Sequence, residues 1–250
     1  MNTETQSLDE QYRQAFSIAT MEEYKQYKSK YNELGEFIHE LQTEWYTACR
    51  FLDADWTDIG DYLESDDFDN DYSVQHLRRT LVRTLFAMIE GITFAHKQKI
   101  LADYEAGRRH LSHAEYAILT EESYQLRDSG TIRTSPNYPN IQANIKFVFP
   151  LYARILDSEF TFDPPLSAPG WQSLCRSIEI RNRLMHPKSL TDLDVTDTDL
   201  EEVEKAAEWF TAQIDRLESL FWHMLMQRSS EIQGENQTTS SDPTQEPPDD

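Results

Sequence analysis

The chain has 250 residues, 38% of them apolar, and a formal net charge of −22 at pH 7. A chain of this length can bury roughly 70% of its unfolded surface, which is enough for one full-sized core. Seven glycines and ten prolines are too few for a collagen-like or low-complexity chain, and no apolar run is long enough to span a membrane. The polar start at residues 1–10 and the presence of only two cysteines predict a protein of the reducing cytoplasm.

The negative charge is concentrated in three segments that contain no basic residue. Nine acids lie within 53–71, seven within 192–204 and six within 229–250, and the rest of the chain has as many acids as bases. A single-sign excess of charge keeps a protein in solution and repels nucleic acid at long range. Any contact with a nucleic acid is therefore expected to be specific and confined to one small part of the surface.

The first part of the chain is predicted to be helical, with one acidic loop. Apolar residues at steps of three and four predict a helix over 8–52, and an acidic loop follows over 53–72. The same spacing predicts a second long helix over 73–104. Ser112 and Glu115 form a capping box, which predicts a third helix of about fifteen residues.

The middle of the chain is predicted to alternate between loops and helices. A loop or loose hairpin is expected over 128–140, which is rich in Ser, Thr, Pro and Asn. A helix is expected over 141–158, broken by Pro150. Another helix is expected over 171–185, and Pro187 ends it.

The last helix is expected to start near Thr198, where Glu201 completes a second capping box. The segment 229–250 has no aromatic residue and is expected to be a disordered acidic tail. The sequence therefore predicts an all-α fold, a helical bundle with one domain over 1–228.

The segment GWQSLCRSIEIRNRLMHP combines an apolar helix face with polar side chains. At about 100° per residue, Trp171, Cys175 and Ile178 fall within ~40° of one line, which we interpret as the buried face. Asn182 and His186 lie close to the same line along the predicted helix. Because a buried amide or imidazole without partners costs roughly 1–3 kcal/mol, these two residues are expected to face a cleft.

An ordinary helix end would also explain this pattern. Basic residues in the last turn complement the helix dipole, and proline commonly follows a helix. On spacing alone, a structural role and a functional role for Arg181 and His186 both stay open.

The segment RNRLMH, from Arg181 to His186 and followed by proline, resembles the R-x4-6-H motif of the HEPN superfamily in the form with Asn after the Arg. HEPN domains are bundles of four to five helices, and many are metal-independent ribonucleases of toxin–antitoxin, abortive-infection and other defence systems. The resemblance covers about 73–228. It implies no metal and no cofactor, and the long N-terminal helix and the acidic loop have no counterpart in it.

The resemblance implies a mechanism of RNA cleavage. Histidine suits proton transfer at neutral pH, which is the role implied for His186. The planar guanidinium of Arg181 matches phosphate oxygens, and Asn182 would hold the imidazole or the phosphate. HEPN domains usually dimerise, so the helix over 171–185 is expected at a two-fold interface, where the second chain supplies the second histidine.

Arg83 and Glu90 are candidate supporting residues. They lie seven residues apart on the second predicted helix, with Phe86 between them. A carboxylate in so apolar a stretch needs a cationic partner, which would be Arg181 or Arg83. HEPN domains often place a polar residue of an early helix near the motif, and an ordinary surface ion pair is the alternative.

A ribonuclease of this charge needs a local basic groove. The bases expected to line it are Arg79, Arg83, Arg176, Arg181, Arg183 and Lys188. Lys188 occupies the position where some HEPN toxins carry a tyrosine that a partner enzyme modifies, so that regulation is not expected here.

Three functional hypotheses follow. The first is a dimeric, metal-independent endoribonuclease that acts on RNA in stress response or phage defence, with an antitoxin or another defence protein as a possible partner. The second is a non-catalytic helical module that binds a partner protein or a nucleotide. The third is a purely structural dimerisation bundle.

Overall fold

The computed structural model describes residues 13, 20–53, 70–156 and 165–239. Within these ranges the fold is an all-α helical bundle with one two-stranded hairpin, which confirms the predicted fold class. The elements are α1 (Met21–Asp53), α2 (Asn70–Glu105), α3 (His113–Leu119), β1 (Glu122–Leu126), β2 (Ile132–Pro136), α4 (Ile141–Leu156), α5 (Pro169–Met185), a 3₁₀ turn (Leu190–Leu193) and α6 (Asp197–Thr239). Most of the predicted acidic loop and the start of the predicted first helix lie outside the described residues.

The helices pack in pairs around one apolar core. Helix α1 lies along α2, α5 lies along α6, and α4 contacts both α2 and α6. The apolar stripe that the sequence predicted on α2 is buried in this core, at Leu81, Leu85, Met88, Ile92 and Ala95. The spacing of apolar residues therefore predicted the buried face of α2 correctly.

Helix α3 is shorter than predicted. The Ser112–Glu115 capping box is present, but the helix spans only the seven residues His113–Leu119, and the prediction of about fifteen residues was wrong. The chain leaves the helix at Glu121, whose φ of +58° is incompatible with a continued right-handed helix.

The hairpin begins earlier than the loop or loose hairpin predicted over 128–140. Strands β1 and β2 pair antiparallel, from Glu122 opposite Pro136 to Leu126 opposite Ile132. The Gly130 N–H donates to the Arg127 carbonyl at 2.8 Å, and its φ of +75° suits glycine.

Pro150 does not break helix α4, which runs without interruption from Ile141 to Leu156. The sequence analysis was wrong on this point. Proline removes one backbone hydrogen bond, but its neighbours on both sides are buried in the core and hold the helical path. These neighbours are Val148, Phe149, Leu151 and Tyr152.

Helix α6 extends to Thr239, so the predicted start of the tail at residue 229 falls inside a helix. The next proline after residue 229 is Pro243, so no proline ends the helix before Thr239. Residues 240–250, the remainder of the predicted tail, lie outside the described residues.

The contact between α5 and α6 depends on Gly170. A β-carbon at this position would lie 2.5 Å from Cβ and 2.9 Å from Cγ of Trp209. These atoms sit at the base of the tryptophan side chain, so the two helices would have to separate. We expect Gly170→Ala to lower the free energy of unfolding by about 1–3 kcal/mol in urea denaturation.

Gly35 provides the matched control. It lies inside α1, and nothing stands within 4 Å of an added β-carbon. Gly35→Ala should raise the free energy of unfolding by up to about 1 kcal/mol, because alanine favours the helix. Equal effects of the two substitutions would contradict the close contact at Trp209.

His96 is buried in the core, with 1% of its surface exposed. Its Nδ1–H donates to the Ile92 carbonyl at 2.8 Å, and its ring packs edge-on against Tyr152. Burial, helped by the positive charge of Lys99, lowers the pKa of His96 from 6.5 to about 3. The imidazole is therefore neutral in the folded protein at any pH at which the fold is expected to persist.

This histidine makes the fold sensitive to acid. Below its unfolded pKa of 6.5 the unfolded chain binds a proton that the folded chain does not bind. We expect the free energy of unfolding to fall by about 1 kcal/mol between about pH 6.5 and about pH 5.5 from this group. His96→Leu should remove that part of the pH dependence in urea denaturation, whereas His39→Ala, at an exposed position of α1, should not. If the free energy of unfolding of His96→Leu falls with pH as steeply as that of wild type, His96 is not the group responsible.

Candidate functional site

Helix α5 buries a different face from the one that the sequence predicted. Its buried residues are Trp171, Ser173, Leu174, Ser177, Ile180 and Leu184. Cys175 and Ile178 are only partly buried, and the buried direction is rotated by ~130° from the predicted line at about 100° per residue. Two serines, Ser173 and Ser177, occupy the buried side of α5, so hydrophobicity alone pointed to the wrong side.

Asn182 and His186 consequently lie on the solvent side of α5, and both are exposed. The expectation that they end the buried stripe was wrong. His186 terminates the helix, and its backbone N–H donates to the Asn182 carbonyl at 3.0 Å. Both side chains are therefore accessible to a large ligand.

Arg181 lies at the border between the buried and exposed sides, where it connects α5 to α2. Its Nη2 donates to Oε1 of Glu90 at 2.9 Å, and its Nη1 donates to Oδ1 of Asn182 at 3.3 Å. The guanidinium carbon lies 5.9 Å from the centre of the Phe86 ring. Of the two cations considered for Glu90, the bonded one is Arg181.

Arg83 shares one side of α2 with Phe86 and Glu90, within ~60° at about 100° per residue. Its side chain is exposed. The structure thus brings Glu90, Arg181 and Asn182 into one bonded group and places Arg83 on the same face of α2, about two turns before Glu90.

The six bases predicted for one groove do not share one face. Arg176 donates to Glu202 at 2.6 Å and Arg183 donates to Asp199 at 3.0 Å, both on α6. These two arginines lie ~140–160° around α5 from Arg181 at about 100° per residue. The prediction of a groove containing all six bases was wrong, because acids at the start of α6 pair with two of them.

The pKa of Asp199 reflects this pairing. Burial acts to raise the pKa of its carboxyl group, but hydrogen bonds from the Thr196 N–H and from Arg183 lower that pKa below its usual value. Arg78 makes a similar contact, with Nη2 at 2.6 Å from Asp197. Part of the acidic segment 192–204 thus neutralises arginines.

A cavity adjoins the bonded group, and we call it the Glu90 pocket. It has a volume of about 270 Å³ and is lined by Glu90, Phe94, Lys97, Glu121, Tyr138 and Asn144, among others. Its residues come from α2, the hairpin region and α4. The sequence analysis missed it, although a lysine inside an apolar helix, at position 97, was a signal.

Among the described residues, no group of three or more His, Cys, Asp or Glu side chains is placed to hold a metal ion. None of the described helices is long and apolar enough to cross a membrane. No protein-family model, curated protein or solved structure matches the chain.

Proposed function

We propose that the protein is a metal-independent endoribonuclease of the HEPN type, which acts as a cytoplasmic dimer in stress response or phage defence. One observation supports this proposal above the others. The Glu90–Arg181 ion pair fixes a guanidinium beside an exposed Asn182, one turn before the exposed His186. Cleavage of a phosphodiester requires a cation for the charge on the phosphorus oxygens and an accessible group for proton transfer, and Arg181 and His186 supply these two groups at the end of one helix.

In the proposed reaction the 2′-oxygen of the RNA attacks the neighbouring phosphorus, and the 5′-oxygen leaves. His186 of one chain removes the proton from the 2′-hydroxyl, and the same residue of the partner donates a proton to the leaving oxygen. The products are a 2′,3′-cyclic phosphate and a 5′-hydroxyl. Arg181 stabilises the charge that develops on the phosphorus oxygens.

Glu90 has a positioning role in this scheme. An arginine carries five N–H donors, and Arg181 uses one on Glu90 and one on Asn182. The remaining donors are available to phosphate oxygens, in an orientation that the two bonds restrict. The side chain of Arg181 is 29% exposed, so a ligand reaches it from solvent.

The experiment that tests this function is cleavage of a mixed RNA pool in excess EDTA, followed on gels, with chemical analysis of the product ends. We expect cutting to persist in the chelator and to leave 2′,3′-cyclic phosphates. Wild-type protein that cuts none of a varied set of RNAs would refute the proposal.

The composite site requires a dimer. Two exposed apolar residues lie within the motif and shortly after it, Met185 at 49% exposure and Leu190 at 84%. We expect a dimer at micromolar concentration in sedimentation equilibrium, and we expect Leu190→Glu to weaken association and cleavage in parallel. Leu126→Glu, at a similarly exposed position of the hairpin, is the control and should change neither. A wild-type protein that cleaves RNA as a monomer would contradict the composite site.

A second candidate is a non-catalytic module that binds a partner protein or a nucleotide. The pairing of Arg176 and Arg183 with acids of α6 favours it, because this pairing reduces the positive charge available to RNA. A protein that cuts no RNA, but forms a stable complex with the product of a neighbouring gene, would have this function.

A further inference from the structure

The Glu90 pocket shares one residue with the proposed cleavage site, because Glu90 both lines the pocket and bonds Arg181. A water molecule occupies about 30 Å³ in the liquid, so a volume of about 270 Å³ accommodates a planar bicyclic group. The pocket therefore adjoins the guanidinium that is proposed to bind the cleaved phosphate.

An ion pair between Lys97 and Glu121 lines part of the pocket. Lys97 is 2% exposed, and its Nζ lies 2.8 Å from Oε1 of Glu121. The backbone of Glu121 is held in the left-handed region by its N–H bond to Ile118 and by the bond that its carbonyl accepts from Asn137. A non-glycine residue rarely adopts this conformation, which here ends α3 and places the Glu121 carboxylate beside Lys97.

Two carboxylates line the pocket, those of Glu90 and Glu121. Among the described residues, Glu90 accepts from Arg181 through Oε1, and Glu121 accepts from Lys97 through Oε1. The second oxygen of each carboxylate is therefore expected to accept hydrogen bonds from the group that enters, and this group is expected to carry N–H donors.

Two aromatic rings stand at the rim. Phe94 is 49% exposed and Tyr138 is 75% exposed, and both line the pocket. Aromatic side chains of this kind stack on the unpaired bases of single-stranded RNA, whose edges then form hydrogen bonds with the protein.

We propose that the Glu90 pocket binds a guanine base of single-stranded RNA next to the cleaved phosphate, an assignment that rests on the proposed function. Guanine presents two adjacent donors, N1–H and N2–H, which match one carboxylate, and its O6 accepts a hydrogen bond from a lysine. Adenine and cytosine place a ring acceptor beside their amino group, and uracil has one donor between two acceptors. Only guanine suits both members of the Lys97–Glu121 pair.

The first test measures binding of guanosine 5′-monophosphate and adenosine 5′-monophosphate to the full-length protein by titration calorimetry. We expect the guanine nucleotide to bind at least about tenfold more tightly. Tyr138→Ala should weaken its binding by about tenfold, through the loss of a stacking surface. Tyr124→Ala is the matched control, because this exposed tyrosine of β1 does not line the pocket.

The second test measures cleavage of four RNAs that are identical except at one position, which is G, A, C or U. We expect wild-type protein to cut next to G, and Tyr138→Ala to raise KM more than it lowers kcat. Equal binding of both nucleotides, or binding unaffected by Tyr138→Ala, would overturn the guanine assignment even if cleavage is observed. If the protein binds guanine specifically but cuts no RNA, the proposed cleavage is wrong and the guanine site in the Glu90 pocket is supported.

Discussion

Replacing His186 with alanine is expected to lower the rate of RNA cleavage by about 10²-fold or more, the scale for loss of a positioned acid–base group. The fold should survive, because the side chain is exposed and the backbone N–H that ends α5 stays in place. Initial rates in EDTA and urea denaturation of the same preparations measure the two effects. A change of more than about 0.5 kcal/mol in stability would show that the side chain supports the fold.

Two further variants separate chemistry from structure. Arg181→Ala should cause a loss of similar size, because the charge on the phosphorus oxygens is left unmatched. Arg181→Lys should restore only part of the rate, since an ammonium cannot reproduce the planar fork. His39→Ala, at an exposed position of α1, should leave the rate unchanged. A His186→Ala protein as active as wild type would refute the proposed enzyme.

Glu121→Ala is expected to have the largest effect on stability among single polar substitutions of the Glu90 pocket. It leaves the ammonium of Lys97, which is 2% exposed, without its partner. Breaking a buried ion pair costs about 3–5 kcal/mol, and the lower end applies because the Glu121 side chain is 30% exposed. Urea denaturation at neutral pH measures the change.

The double variant Lys97→Met with Glu121→Ala should recover most of this loss, because it removes the buried charge together with its partner. The matched control is Glu105→Ala, which breaks the exposed pair with Lys30 at 3.5 Å. That substitution should change stability by less than about 1 kcal/mol. Similar costs for Glu121→Ala and Glu105→Ala would show that the Lys97 pair adds little to the fold.

Much of the bundle was predictable because local sequence determines it. The spacing of apolar residues on α2 oriented this helix correctly, since its buried side chains are large and aliphatic. The capping box at Ser112 marked the start of α3, because the two side chains involved are three residues apart. The sequence also indicated a cationic partner for Glu90, but it left Arg83, Arg181 and an ordinary surface ion pair open, and the Glu90 side chain is 46% exposed in its pair with Arg181.

The buried face of α5 was not predictable, because it depends on a distant helix. Ser173 and Ser177 count as polar in the sequence, yet both are buried on α5, which lies along α6. The early end of α3 depends in part on a distant segment, because the Glu121 carbonyl accepts a bond from the N–H of Asn137, just after β2. Local hydrophobicity carries no information about such contacts.

The Glu90 pocket could not be predicted from the sequence for a related reason. Its chemistry arises from residues that are far apart in the chain, with Glu121 and Asn144 brought to α2 by the hairpin and α4. The buried lysine was the local signal, but its partner lies 24 residues away. The pairing of Arg176 and Arg183 with α6 is likewise a tertiary property.

That pairing has a consequence for how the protein would discriminate among RNAs as ionic strength changes. Of the six candidate bases, Arg176 and Arg183 pair with acids of α6 and Arg79 donates to the Leu193 carbonyl, so at most Arg83, Arg181 and Lys188 would contact phosphates in one protomer. Counterion release from a single strand then gives a slope of about −2 for log affinity against log salt. Affinity would fall only about twentyfold over a fourfold rise in salt, so base recognition and not bulk charge would select the RNA.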